Sequence, residues 1–386
     1  MRQYLIAPFL ILFIYTQSVH SHGPAHTHKT PDANKSFAVK VMSVQKMMER
    51  DQANLGHLEE LIELLIQEGR RTSHEQYFSD AEKILKPYIL KNRFNDRLLL
   101  QWADILQRTH RFNQSAVVLD KLINKDANNH QARLMRAVIA YVSGDFDRAG
   151  KECSNLIGKT EMLLAVTCIT QVKGMTGNLS SSIDLLEKTL NTYQADSSAV
   201  SEAERWAVTV LSEMYFRAAK VSEGRHAIGR MINKKPKDYY LLALLADSLL
   251  EQGKNTEVIR LIGENKDNDK LLLRVVIAEK SLGKHHTANR RKLNSRMHKL
   301  WHNRDEGNAG VLARYYLDVN KKIHRAVEMA KLNWRTQRGP DDILLLQRSL
   351  WAGGDSVGLS KLSGWLSQTG YEDYRLLKYE NAREKS

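Results

Sequence analysis

Leucine-rich amphipathic windows follow one another from Leu58 to Leu366, with apolar residues returning every three to four positions, and they predict helices throughout. No stretch alternates apolar and polar residues for long enough to suggest a sheet, so the predicted class is all-α. The windows come in pairs. HLEELIELLIQEG (His57–Gly69) precedes SDAEKILKPYIL (Ser79–Leu90), and the segment from Leu98 to Asn129 is followed by a similar one from Gln131 to Ile157. A 34-residue echo runs beneath them, linking Phe78, Phe112 and Phe146, then Ala81, Ser115 and Ala149, then Leu85, Leu119 and Cys153. A fixed period of this length marks a helix-turn-helix unit copied and stacked. The expected architecture is an α-solenoid.

In the two clearest copies a small residue, Ala103 or Ala137, sits midway along the first helix. A turn follows at His110 or Gly144, an aromatic comes two residues later, and a small residue opens the second helix. This order resembles the tetratricopeptide repeat (TPR). Gly177, Ala219, Gly253 and Gly283 fall near the same turn position, Gly353-Gly354 reads as another turn, and Pro236 stands where the family ends a helix. The resemblance implies about seven to eight TPR-like hairpins, strongest over residues 78–157 and 206–262. Residues 41–370 are assigned to the solenoid and 371–386 to a charged C-terminal cap or tail.

Residues 1–21 differ in kind: Arg2 is the sole charge, Leu5 to Tyr15 is apolar, and Val19-His20-Ser21 suits a signal peptidase. Export is the expectation, to a periplasmic or secreted location. Cleavage there leaves residues 22–40 as a flexible leader that opens with His22, His26 and His28 beside a free amine. Imidazole and amine nitrogens suit Cu, Ni or Zn, so a metal-handling accessory role is the alternative to a polar leader without function. No other cofactor is expected. Beyond the leader no run is apolar for the roughly 18 residues that a membrane span needs.

An oxidising compartment changes the reading of Cys153 and Cys168, which fall on the second helix of one repeat and the first helix of the next. They are either a disulfide that staples adjacent hairpins or two buried thiols acting as small hydrophobes. The intact chain carries 58 basic and 44 acidic residues, a formal +14. The cations concentrate at Lys234, Lys235 and Lys237, at Arg290, Arg291, Lys292, Arg296 and Lys299, and at Lys321, Lys322 and Arg325. Anionic envelope surfaces or acidic proteins become reasonable contacts, while the lack of aromatics within these runs argues against nucleic acid.

Catalytic patterns do not emerge. No phosphate-cradling glycine loop, GxSxG turn or CxxC pair is present. His298 and His302 have the spacing of a zinc helix, but Lys299 stands where the water-activating glutamate belongs. The chain therefore reads as a binding scaffold rather than an enzyme. In TPR proteins the first helices line a concave groove that takes extended peptides. Carried over residue by residue, the resemblance places Arg97, Gln101, Asp104 and Arg108 there, then Gln131, Met135 and Tyr141, then Trp206, Glu213 and Arg217, and finally Tyr240, Asp247 and Glu251.

Overall fold

A computed structural model describes residues 31–51, 53–72, 76–193, 200–234, 238–302 and 306–380. The signal segment, His22, His26 and His28, and Lys235, Pro236 and Lys237 lie outside the described residues. All the elements described are helices. They form two compact units, one ending at Ala132 and the other beginning at Arg133.

The first unit opens with α1 (Pro31–Arg50) and continues through hairpins α2 (Leu55–Thr72) with α3 (Gln76–Leu90) and α4 (Asp96–Arg108) with α5 (Phe112–Lys125). α1 corrects the expectation of a flexible leader through residue 40. Phe37, Val41, Val44 and Met48 recur at helical spacing and pack on the core built by Leu58, Ile62, Leu85, Leu98 and Ile105. Phe37 meets Tyr77 edge-on, ring centroids 5.5 Å apart.

α6 (His130–Ser143) spans the boundary and pairs with α7 (Phe146–Ser154), Arg133 bonding Glu152 at 2.7 Å. The next hairpins are α8 (Met162–Lys173) with α9 (Leu179–Thr192), α10 (Glu202–Arg217) with α11 (Val221–Lys234), α12 (Tyr239–Glu251) with α13 (Asn255–Ile262), and α14 (Asp269–Ser281) with α15 (Ala288–His302). α16 (Ala309–Arg314) runs into a π-helical turn, Tyr315–Asn320, before α17 (Ile323–Trp334), and α18 (Pro340–Ala352) with α19 (Ser356–Thr369) completes the series. Nine hairpins are thus described between Leu55 and Thr369, against the seven to eight expected. The spacing of the turn residues drifts from the 34-residue period, 42 from Gly177 to Ala219 and 30 from Gly253 to Gly283, and this drift blurs the count in the sequence. A last helix, α20 (Tyr374–Glu380), caps α18.

The echo residues carry the seams. Phe78, Phe112 and Phe146 sit at or near the start of second helices and are buried, and Ala81, Ser115 and Ala149 have no exposed surface. The turn positions obey backbone geometry as much as packing. His110, Gly144, Gly177, Ala219, Gly253, Gly283 and Gly354 all adopt positive φ, between 57° and 80°. A left-handed residue there ends the first helix and reverses the chain, which glycine does without strain and Ala219 does against its Cβ. Ser201 caps α10 by accepting from the Glu204 N–H at 3.0 Å.

Candidate functional site

In the first unit the expected inner-face residues lie along α4. Arg97 is exposed and faces Glu59 at 3.5 Å. Gln101, Asp104 and Arg108 are buried. Gln101 donates to the Glu59 carbonyl at 2.9 Å. Asp104 accepts from Arg70 at 2.8 Å and from Arg108 at 3.1 Å, and the Arg108 guanidinium lies 5.0 Å over the Phe78 ring. Burial opposes charge on Asp104, but Arg108 and then Arg70 outweigh it and hold the carboxyl below its usual range. Nearby Glu63 has no such pairing, and burial raises its pKa despite Gln67, Arg70 and Gln101. Gln131 is half-buried at the start of α6.

In the second unit the expected groove is filled. Met135, Tyr141, Trp206 and Arg217 are each 3% exposed or less, and Glu213, Tyr240 and Asp247 are mostly covered. Of the residues assigned to the groove here, Glu251 alone is exposed. An open concave surface at Tyr141, Trp206 and Tyr240 is therefore corrected: all three are covered, and Asp341 of the returning α18 lies beside Tyr141 and Tyr240.

The return is made by specific contacts. The Arg338 N–H donates to the Val142 carbonyl at 2.7 Å, and a Cβ added at Gly144 would strike Arg338 at 2.7 Å. Gly177 and Gly370 meet backbone to backbone, so that a Cβ on Gly370 would lie 3.4 Å from the Gly177 nitrogen. Trp365 lies 6.1 Å from Phe146 and edge-on to Trp334 at 5.0 Å. Arg217 donates to the Glu372 carbonyl at 3.1 and 3.0 Å, bonds the Gly174 carbonyl, and lies 4.4 Å over the Tyr371 ring. Asp247 accepts from Arg274 and, at 3.1 Å, from Arg314.

These contacts make an ionic interior. Burial opposes charge on Asp247, yet Arg274 and Arg314 hold its carboxyl far below the usual range. Glu213 accepts from the Tyr240 hydroxyl, but burial, reinforced by Asp341, pushes its pKa up to about 7 against the pull of Tyr240, Arg217 and Arg375. Burial and then the Glu213 charge raise the Tyr141 phenol. Arg375 is held by Asp373 at 2.7 Å and faces Asp341 at 3.6 Å. Sequence reasoning did not anticipate Arg314, Asp341, Asp373 or Arg375. Their one local signal is RGPDD at Arg338–Asp342, where Asp342 accepts from the Gly339 N–H at 3.0 Å and starts α18.

A cleft of about 760 Å³ remains where the returning segment meets α9, lined by Leu179, Ile183, Lys220, Leu366, Tyr371 and Leu376. Cys153 and Cys168 are bonded to each other, Cα atoms 5.4 Å apart, joining α7 to α8. His298 and His302 stack at 4.1 Å on the outer side of α15. Among the described residues no three His, Cys, Asp or Glu side chains converge as a metal would require. No described helix is long and apolar enough to cross a membrane.

The fold is that of a TPR-like helical-repeat protein. Similar solved structures include a tetratricopeptide repeat protein from Parabacteroides merdae, 16% identical over 75% of this chain and 98% of that one, with a TM-score of 0.39. The human IFIT1 dimer with m7Gppp-AAAA is 11% identical over 88% and 87%, at 0.46. The Cut9–Hcn1 hetero-tetramer of the APC/C is 12% identical over 92% and 74%, at 0.42. These likenesses are distant, and the repeat architecture rests on the helices themselves. No protein-family model matches the sequence, and no curated protein does.

Proposed function

We propose that this protein is a non-catalytic scaffold that captures a protein or peptide segment in an extracytoplasmic compartment, and that the captured segment takes the place of the chain's own C-terminal return. The observation that carries this reading is the grip on residues 370–373. Arg217 holds them through a main-chain carbonyl and a ring face, and the segment between α19 and α20 is not helical. Main-chain carbonyls are common to every polypeptide, so an extended partner segment offers Arg217 the same acceptor. The adjoining cleft supplies apolar wall from Leu179, Ile183 and Leu366.

Two features support the compartment: the apolar run Leu5 to Tyr15, and the bonded pair Cys153–Cys168, a bond that persists in oxidising surroundings. The excess of cations makes an anionic envelope surface a second contact.

The test places a photo-reactive side chain at Lys220, beside the returning segment, in the full chain and in a Trp365→Ala variant whose α19 contacts are loosened. Irradiation in cells followed by mass spectrometry is expected to yield an adduct with a second polypeptide, at least several-fold more abundant in the variant. Adducts confined to the chain's own residues 366–377 in both proteins would refute displacement.

A further inference from the structure

Between Glu279 and Asp305 the sequence carries eight Arg or Lys and four His without one carboxylate. Helix α15 takes up most of this run. Leu293, Met297 and Leu300 turn inward at steps of four and three residues, which fixes the opposite side as an exposed stripe of Arg291, Lys292, Ser295, His298, Lys299 and His302. At 1.5 Å per residue this ridge is about 16 Å long. Lys292 is offset by Asp267 at 2.8 Å, and Arg296 by Asp269. Among the described residues Arg291 and Lys299 have no carboxylate partner.

A second basic stretch, 20 or more residues later in sequence, is packed alongside α15, where the Tyr315 hydroxyl donates to Asn294 at 2.9 Å. The Lys280 ammonium donates to the carbonyls of Asp318 and Val319 at 2.7 and 3.1 Å, which anchors the end of the π-turn beside α14. Lys321 then leaves the turn in the left-handed conformation, φ 57°. The Arg325 guanidinium lies 4.6 Å over the Trp301 ring and 5.5 Å over Tyr316. Burial lowers the Lys280 pKa, and the next two causes are the charges of Lys321 and Arg290, so cations from both stretches share one neighbourhood.

We propose that the α15 ridge, extended by Lys321 and Lys322, docks on the surface of a bilayer containing anionic phospholipid. Charge complementarity names the chemistry, and the absence of anything else on the ridge names the occupant. It exposes no large apolar side chain, whereas a folded protein partner needs a desolvated anchor at the centre of its contact. Its indole, Trp301, is stacked edge-on against Tyr316 beneath Arg325, and its two imidazoles, His298 and His302, are stacked on each other at 4.1 Å, so a single-stranded nucleic acid finds no broad aromatic platform for successive bases. A lipid surface needs neither, because mobile anionic headgroups gather beneath fixed cations. The proposal rests on the extracytoplasmic reading only for which bilayer the protein meets.

The test is co-sedimentation of the full chain with phosphatidylcholine vesicles, with and without phosphatidylglycerol. The wild type is expected to bind the anionic vesicles at least tenfold more strongly than the neutral ones, and added salt should erode the difference. Reversing four cations, Arg291→Glu, Lys299→Glu, Lys321→Glu and Lys322→Glu, is expected to remove at least tenfold of that binding and to leave binding to neutral vesicles unchanged. The milder pair Arg291→Gln and Lys299→Gln, at exposed positions that the fold tolerates, should remove several-fold. Equal binding to both vesicle types would overturn the proposal, as would retention of the anionic preference in the four-residue variant. So would tighter binding of an oligonucleotide or of poly-glutamate than of the anionic vesicles. Because none of these readouts involves Lys220 or Trp365, the outcome is separate from that of the capture experiment.

Discussion

The two units solve the same problem, polar side chains on the inner side of first helices, over different distances along the chain. In residues 31–132 the solution is local: Asp104 finds Arg108 four residues on and Arg70 34 residues back, one repeat away. In residues 133–380 the spans lengthen, to 67 residues for Asp247 with Arg314 and 155 for Arg217 with Glu372. A repeat stack held by nearest neighbours gains and loses hairpins one at a time. A stack whose end is bonded to its beginning loses them together. The first unit is built as a segment of solenoid, and the second as a solenoid segment that has closed on its own C-terminus.

The comparison is broken or sharpened most strongly at Asp104 and Asp247. Asp247→Ala leaves Arg274 and Arg314 without their shared carboxylate, and Asp104→Ala leaves the buried Arg108 and Arg70 without theirs; each should cost about 4 kcal/mol. Hydrogen exchange read segment by segment separates the mechanisms: Asp247→Ala should loosen α12, α14 and α16 together, and Asp104→Ala only α2 to α4. Purely local loosening in both variants would remove the distinction between the units. Next in size is the disulfide, which encloses 15 residues. Replacing Cys153 and Cys168 with Ser should lower the second unit's stability by about 3 kcal/mol in urea titrations and leave the first unit's transition in place.

A similar effect depends on pH. Glu213 has an ordinary pKa of 4.5 and one of about 7 in the fold, so between those values the folded state binds more protons than the unfolded chain. Its contribution to stability is full below about pH 4.5 and is lost as pH rises through 7. Glu213→Gln keeps an acceptor for Tyr240 without the charge. The variant should match wild type at pH 4 and exceed it by about 3 kcal/mol at pH 8. No gain at pH 8 would show that the carboxylate is not confined by the closure. The smallest effect is at a turn: Ala219→Gly relieves a left-handed alanine, φ 62°, and should add about 1 kcal/mol, measured as a rise in Tm.

What the sequence disclosed follows from how far each signal reaches. The Phe78, Phe112 and Phe146 echo and the turns from His110 to Gly354 report local packing and local backbone, and both are where the pattern put them. Helix α1 was obscured by the polar composition around it, although Phe37, Val41 and Val44 carried its period. The exact number of hairpins was blurred because the turn residues drift from the 34-residue period, 42 from Gly177 to Ala219 and 30 from Gly253 to Gly283. Closure was illegible because register states which side of a first helix faces inward and says nothing of what arrives there. Arg217 carries no local mark of a carbonyl 155 residues away. The same ignorance turned Tyr141 and Tyr240 into expected contacts for a partner, when the chain itself covers them.

The most direct measurement of that closure is the distance between spin labels at Ser180 on α9 and Ser367 on α19, two positions that line the cleft beside the returning segment. A single short, narrow distribution in the free protein is the predicted result. A long or broad distribution, with residues 366–377 swinging free of α9, would contradict the account.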